Sequence, residues 1–281
     1  MATTTTTPPS QSRPASPSSS DADMDDSVSS QTAANYQFPT HRYKRQQTQA
    51  NRIPLVFVAC GSFSPITYLH LRMFEMAADF AKFNTEFEVL GGFLSPVSDA
   101  YKKAGLTSAR HRLRMCELAV QQTSNWLMVD PWEALQEKYT PTALVLDHFE
   151  HEINVVQGGV LDDLEHILGR YGTFIVERTG TDIDDALSSL QAWKEKIWVI
   201  PQLILNDVSS TKIRLFLRRE MSVRYLIPAQ VIQYIEENGL YEEEGAEGKG
   251  KGKTTTTGKV LYWERGSLHA KRKVLLLGKG I

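Results

Sequence analysis

One short stretch, residues 55–71, constrains the fold more than any other part of the chain, and it reads LVFVACGSFSPITYLHL. Its first five residues are apolar, and three of them are β-branched or aromatic, which is typical of a buried parallel strand. Small residues follow at 60–62, and a turn without bulky side chains lets backbone N–H groups approach a ligand. After Pro65, apolar residues recur at helical spacing from Thr67 onward. The stretch therefore predicts a strand, a tight turn and a helix.

This order places the start of a helix at the carboxyl end of a strand, where open α/β sheets bind anions and nucleotides. The N–H groups at a helix start have no partner within the helix and carry partial positive charge. Thr67 and His70 are three residues apart, so both lie on one face of this helix start. We therefore expect an anion site at this point of the chain.

Downstream, predicted strands alternate with predicted helices. The strands are Glu86 to Leu94, Trp126 to Val129, Phe174 to Val176 and Ile197 to Ile200. The helices begin at Ser108, run from Thr142 to Val156, Leu161 to Leu168 and Ile183 to Trp193, and begin again near Ser209 and Pro228. Such alternation favours an α/β fold, a Rossmann-like, doubly wound parallel sheet with right-handed crossovers.

The two ends of the chain differ in composition from the middle. Residues 1–49 are rich in Thr, Ser, Pro and Gln, and the run 242–259 is built of Glu, Gly, Lys and Thr. Such segments bury too little apolar surface to offset the entropy of ordering. We expect a disordered low-complexity tail over 1–49, one domain over 50–241 and a C-terminal tail over 242–281.

Composition argues against several classes of partner. The chain has 31 Lys and Arg against 33 Asp and Glu, a net charge of −2, so nothing demands nucleic acid. It lacks an apolar run of about 18 residues, so we expect no membrane partner. Cys60 and Cys116 are expected to be buried thiols in a reducing compartment. We expect the cytoplasm or the nucleus, with the basic residues 41–45 either a weak nuclear-import patch or a solvated linker.

Three separated motifs carry a resemblance to a known family. They are GSFSPITYLHLRMFEMA at 61–77, SPVSDAYKKAGL at 95–106 and NDVSSTKIRLFLRR at 206–219. The first is similar to the (H/T)-x-G-H signature of the nucleotidyltransferase superfamily, with Leu69 in place of the glycine. Residues 54–241 together resemble the eukaryotic nicotinamide/nicotinate mononucleotide adenylyltransferases. The resemblance implies transfer of AMP from ATP to a pyridine mononucleotide, giving NAD or deamido-NAD and pyrophosphate.

The resemblance also implies which residues act. It assigns catalysis to His70, Lys103 and Arg214, with His70 stabilising charge on the transferred phosphate. It assigns nucleotide or substrate contacts to Gly61, Ser62, Phe63, Thr67, Lys102, Tyr139, Thr142, Arg178, Asn206, Ser210, Thr211, Lys212 and Ile213. The implied ligands are ATP, the mononucleotide and Mg²⁺ carried on the ATP phosphates. The family commonly forms homo-oligomers, so a homo-oligomer is expected here too.

Taken alone, some of these residues also fit a structural role. Paired lysines are commonly solvated, and hydroxyls at 209–211 could simply cap a helix. The run His148 to Glu152 lacks the spacing of a zinc motif, so we interpret it as a solvated helix face. We interpret Trp132 as a core residue.

The chain departs from the family pattern between Gly159 and Leu161. Family members carry there an apolar strand ending in G-(A/S)-D-L, followed by a loop with a tryptophan that stacks on the pyridine ring. This strand is expected beside the first strand of the sheet, with its acidic residue on a ribose hydroxyl. Two explanations stay open: an altered transcript, or a variant with impaired activity that acts as a nucleotide-binding or interaction protein.

Overall fold

The computed structural model describes residues 31–156, 172–177, 191–242 and 273–279. Six strands in these ranges form one parallel sheet. In chain order they are β1 Ile53–Gly61, β2 Phe87–Pro96, β3 Leu127–Val129, β4 Thr173–Val176, β5 Ile197–Ile200 and β6 Lys273–Lys279. Their order across the sheet is β3-β2-β1-β6-β4-β5. The predicted parallel sheet is therefore confirmed.

Five α-helices connect and flank these strands in the described ranges. They are α1 Tyr68–Asn84, α2 Ala109–Thr123, α3 Thr142–Val156, α4 Ser210–Arg218 and α5 Ala229–Glu237, with short 3-10 turns at Asp99–Tyr101 and Gln191–Lys196. The predicted N-cap residues Ser108 and Ser209 lie directly before α2 and α4. Thr67 precedes α1 in the same way. The predicted helix Leu161 to Leu168 lies outside the described residues.

Alternate residues of β1 face two different cores, which is why the strand is apolar throughout. Leu55, Phe57 and Ala59 pack into the core that includes apolar residues of α1, α2 and α5. Val56 and Val58 pack into a second core with apolar residues of α3. Helices therefore cover both faces, and the doubly wound α/β class is confirmed.

The expectation that residues 1–49 form a disordered tail does not hold for residues 31–49. Tyr43 is buried, and Phe38 packs against the ring of Phe93 with centroids 5.1 Å apart. Arg42 donates through Nη1 to the carbonyls of Val120, Ser124 and Leu127 at 2.8–3.2 Å. Arg42 is therefore tied to the end of α2 instead of standing in a solvated linker.

The C-terminal tail also differs from the expectation, because residues 273–279 enter the sheet as β6. Leu276 pairs with Val58 of β1 on one side and with Thr173 of β4 on the other, both in parallel. This strand occupies the place beside β1 where the sequence analysis expects a different, internal strand.

None of the helices in the described ranges is both long and apolar enough to cross a membrane. Both cysteines are free thiols, and burial raises the pKa of each; Cys116 is buried as expected, whereas Cys60 is only partly buried.

Candidate active site

The turn after β1 needs glycine at its first position. A Cβ on Gly61 would lie 2.9 Å from the ring of Phe63. Phe63 is buried, has a φ of 42°, and meets the imidazole of His70 nearly edge-on with centroids 5.1 Å apart. Gly61 and Phe63, both predicted ligand contacts, therefore also shape the turn that supports His70.

His70 completes a capping box at the start of α1. The backbone N–H of Thr67 donates to His70 Nδ1 at 2.9 Å, and Thr67 Oγ1 lies 2.7 Å from the same nitrogen. Because Nδ1 accepts a hydrogen bond, a neutral ring carries its proton on Nε2. The buried Thr67 thus fixes the tautomer of a neutral His70, with the proton on Nε2.

Arg112 is fully buried beneath the turn and joins three segments. It donates to the carbonyl of Thr107 at 2.8 Å, to the carbonyl of Ser62 at 3.3 Å and to Asp99 Oδ1 at 3.0 Å. Sequence reasoning missed this residue, although its spacing from Met115 and Cys116 puts a charge on the apolar face of α2. Arg112 therefore couples the turn holding Ser62 to the loop after β2.

That loop carries both predicted lysines. Lys102 and Lys103 are exposed, and Lys102 has a φ of 49° with its N–H donating to the carbonyl of Asp99. Two residues further on, Gly105 has a φ of 72°, and a Cβ there would lie 3.2 Å from Arg214 Nε. The lysine loop and Arg214 therefore lie side by side.

Arg214 has a donor without an acceptor. Its Nη1 donates to the carbonyl of Ser64 at 2.7 Å, and its Nη2 lies 3.4 Å from Thr211 Oγ1. Its Nε is buried and finds no hydrogen-bond partner within the described part of the chain. Burial lowers the pKa of this guanidinium from its usual value. A buried N–H donor beside an anion-type turn is what a phosphate oxygen would satisfy.

The rest of the α4 start divides into residues near the turn and residues away from it. Ser210 Oγ donates to the carbonyl of Pro65 at 2.8 Å, which joins α4 to the turn after β1. Thr211 is exposed, and Lys212 pairs with the exposed Asp207. Ile213 is fully buried in the core and its N–H donates to Ser209, so its side chain is not available to a ligand.

The two predicted donor clusters therefore meet. Arg214 and Ser210 both bond to carbonyls of the segment 64–65, which lies between Ser62 and His70 in the chain. These two hydrogen bonds join the start of α4 directly to the backbone of the turn after β1.

Two aromatic rings stand at the carboxyl side of the sheet. Tyr139 is 51% exposed and stacks on Tyr101 with centroids 5.6 Å apart and planes 26° from parallel. Thr142, partly buried, is the first residue of α3. The exposed part of Tyr139 leaves room for a flat ring, as the sequence predicts, but its partner Tyr101 was not predicted.

A buried carboxyl lies close to these aromatic rings. Glu133 is 3% exposed, and its Oε2 accepts a hydrogen bond from Ser95 Oγ at 2.5 Å. Burial raises the pKa of Glu133 to about 7, the nearby charge of Asp130 adds to this, and Ser95 and Arg112 oppose it. Near neutral pH this carboxyl is therefore partly protonated.

The raised pKa of Glu133 predicts a pH-dependent stability. In the unfolded chain the group ionises near its ordinary pKa of about 4.5, whereas the folded state keeps the proton until about pH 7. The folded state binds more protons in that window, so stability falls as pH rises through it. We expect Glu133→Gln to stabilise the protein by about 1–3 kcal/mol at pH 8 and to have little effect at pH 4.5.

Urea unfolding at the two pH values measures this difference. The matched control is Glu137→Gln, which neutralises an exposed carboxyl in the same segment and should change neither value. An equal effect of Glu133→Gln at both pH values would contradict the shifted titration.

The interpretation of the segment His148 to Glu152 as a solvated face is wrong for His148 and Glu150. His148 stacks on Trp132 with centroids 4.1 Å apart, and its Nε2 lies 2.9 Å from Tyr36 Oη and 3.3 Å from Asp130 Oδ2. Glu150 is 6% exposed. The amphipathic spacing of α3 alone could not show that Tyr36 and Phe38, from the segment before β1, cover this face of the helix. Within the described ranges, no group of three His, Cys, Asp or Glu side chains could hold a metal ion.

Two predicted contact residues, Asn206 and Arg178, are not among the side chains that the structure brings together around the turn after β1. Asn206 caps its own turn by accepting from the N–H of Val208 at 3.0 Å, and it lines a cavity of about 820 Å³ along α1. That cavity does not include Ser62, His70 or Arg214 among its lining residues. Arg178 lies outside the described residues.

Comparison with known proteins supports the family suggested by the motifs. A model of the cytidylyltransferase-like family matches residues 58–216. The chain is 51% identical to nicotinamide/nicotinic acid mononucleotide adenylyltransferase 1 of Saccharomyces cerevisiae, over 76% of this chain and 62% of the yeast protein. It is 35% identical to nicotinamide/nicotinic acid mononucleotide adenylyltransferase 1 of Bos taurus, over 70% of this chain and 92% of the bovine protein.

The chain belongs to the nicotinamide/nicotinic acid mononucleotide adenylyltransferase family. It spans 62% of the length of the yeast member. A solved Plasmodium falciparum nicotinic acid mononucleotide adenylyltransferase complexed with APC is also similar, with a TM-score of 0.49 and 20% identity over 66% of this chain and 96% of that chain. The family assignment confirms the resemblance drawn from the three motifs.

Proposed function

We propose that this chain transfers AMP from ATP to nicotinamide or nicotinic acid mononucleotide, releasing pyrophosphate and forming the dinucleotide. The observation that carries the proposal is Arg214 Nε, a buried donor with no hydrogen-bond partner in the described ranges, whose guanidinium bonds through Nη1 to the carbonyl of Ser64 in the turn that leads to His70. Membership of the adenylyltransferase family supports the same reaction.

The proposed reaction needs positioning and charge stabilisation more than covalent participation by the protein. An oxygen of the mononucleotide phosphate attacks the α-phosphorus of ATP, and the bond from that phosphorus to the bridging oxygen of the β-phosphate breaks. His70 would donate through Nε2–H to an oxygen of the transferred phosphate. Arg214 and Lys103 would neutralise the leaving pyrophosphate.

The remaining predicted residues support binding in this proposal. Tyr139 would stack on the pyridine ring, and stacking accepts either the amide or the acid form. Nucleotidyltransferases generally use a divalent metal with ATP, and we assign Mg²⁺, which prefers phosphate and water oxygens. ATP and the mononucleotide are therefore the proposed ligands, in a homo-oligomer of the cytoplasm or the nucleus.

A second candidate function is nucleotide binding without turnover. It is favoured by one observation: the strand beside β1 is β6, and the sequence from its glycine reads Gly278-Lys279-Gly280 where family members carry G-(A/S)-D, so the acidic residue is missing. Without that acid, the ribose loses one hydrogen-bond acceptor.

One assay separates the two functions. The full chain is incubated with ATP, Mg²⁺ and either mononucleotide, and pyrophosphate release is followed, with omission of the mononucleotide as the control. Release that depends on the mononucleotide supports adenylyl transfer. Saturable ATP binding with no release above the control would support the second function.

A further inference from the structure

The last strand in the sequence lies near the middle of the sheet. Residues Leu55 to Val58 of β1 pair in parallel with residues 273–276, and residues 173–176 of β4 pair in parallel with residues 276–279. Without β6, the facing edges of β1 and β4 would lack this partner. The inner edges of both strands therefore form a slot one strand wide.

The sequence shows why the slot needs an occupant from elsewhere. If strands and helices alternated along the chain without a break, the strand between β1 and β4 in the sheet would come from the segment between α3 and β4. That segment, 157–171, reads QGGVLDDLEHILGRY and holds no apolar run of strand length after its glycines. Residues 274–278 read VLLLG, an apolar run ending in glycine, which is suited to a strand buried on both faces.

We propose that the slot between β1 and β4 is a strand-binding site, that this chain fills it with its own segment 273–279, and that adenylyl transfer depends on this occupancy. The connecting residues 243–272 are long enough for the same chain to reach the slot. Thirty residues can span about 100 Å, and a domain of this size is roughly 40 Å across.

Filling of the slot by β6 affects the candidate active site because β1 leads directly into the turn at Gly61. An empty slot would leave alternate backbone N–H and C=O groups of the paired stretch Leu55 to Val58 without this partner strand in the middle of the sheet, which destabilises it. Loss of β6 would therefore loosen the strand that carries the phosphate-binding turn.

The test uses the full chain and the variant Leu276→Pro, which removes one ladder N–H and does not fit an interior strand. The control is Thr256→Pro, in the low-complexity run outside the strand. We expect Leu276→Pro to lower Tm by at least about 10 °C and to abolish most pyrophosphate release, with the control unchanged. A synthetic peptide of residues 271–281, added in excess to Leu276→Pro, should restore both Tm and activity.

Hydrogen exchange on the wild-type chain tests the same inference without the Leu276→Pro variant, so it remains possible if that variant cannot be purified. Amides of residues 274–278 should exchange as slowly as those of Val56 and Val58. Exchange at the rate of a free peptide, or a Leu276→Pro variant with unchanged Tm, would overturn the inference. The activity measurement rests on the proposed function, but Tm and exchange do not, so an inactive wild type with protected amides would remove the proposed function and the dependence of activity on β6 and leave the strand-binding site in place.

Discussion

Replacement of His70 by alanine is expected to lower turnover by about 10²–10³-fold, comparable to the loss of one oxyanion donor. The Nε2–H donor disappears, and charge on the transferred phosphate loses a fixed partner. The same change removes the acceptor for the N–H of Thr67, so part of the effect could come from a weaker helix start. Initial rates at saturating ATP and mononucleotide measure the loss.

The variant His70→Gln separates these two effects. Glutamine at the third position of a capping box can still accept from the N–H of Thr67, but it places no imidazole Nε2–H at the phosphate. We expect His70→Gln to keep the wild-type Tm within a few degrees and to be as slow as His70→Ala. Turnover by His70→Gln close to that of the wild type would show that His70 acts only as a helix cap.

The order of elements could be predicted from the sequence because local signals determined it. The apolar run before Gly61, Ser108 as an N-cap and the helix Thr142–Val156 all rest on residues close together in the chain. The motif around Arg214 could also be placed next to the turn after β1, because both predicted helix starts follow the carboxyl end of a strand in the same sheet.

Long-range pairing could not be predicted, because nothing local encodes it. Phe38 and Tyr43 dock on the sheet from a segment whose composition indicates disorder. The strand Lys273–Lys279 follows a low-complexity run and yet pairs with β1, more than 200 residues earlier. In the first case a few apolar residues pack on a distant surface, and in the second a short strand pairs with a distant backbone edge; average composition hides both.

Within the candidate site, sequence reasoning identified residue types but not which atoms were available. Thr67 was predicted to contact a ligand, but its backbone N–H and hydroxyl both engage His70. Ile213 belongs to a predicted motif but its side chain lies in the core. Motif membership therefore includes residues that hold the site together as well as residues that could touch a substrate.

Replacement of Arg214 by lysine should lower kcat/KM for ATP by about 10²-fold while the charge is retained. Arginine donates through Nη1 to Ser64 and holds its other N–H groups, including the unpartnered Nε, in one fixed plane, whereas a single ammonium cannot reproduce that geometry. The matched control is Arg219→Ala, which removes an exposed positive charge just after α4. We expect this control to stay within twofold of the wild type.

The pair of variants tests geometry against net charge. If the basic end of α4 acted only through its overall positive field, Arg219→Ala would be the slower variant, because Arg214→Lys leaves that field intact. Circular dichroism and Tm show whether loss of the bond to Ser64 also weakens the fold. An Arg214→Lys variant that stays folded and turns over ATP at the wild-type rate would exclude Arg214 as a phosphate-binding residue. The Nε that has no partner in the described ranges would then not be needed to bind a phosphate oxygen.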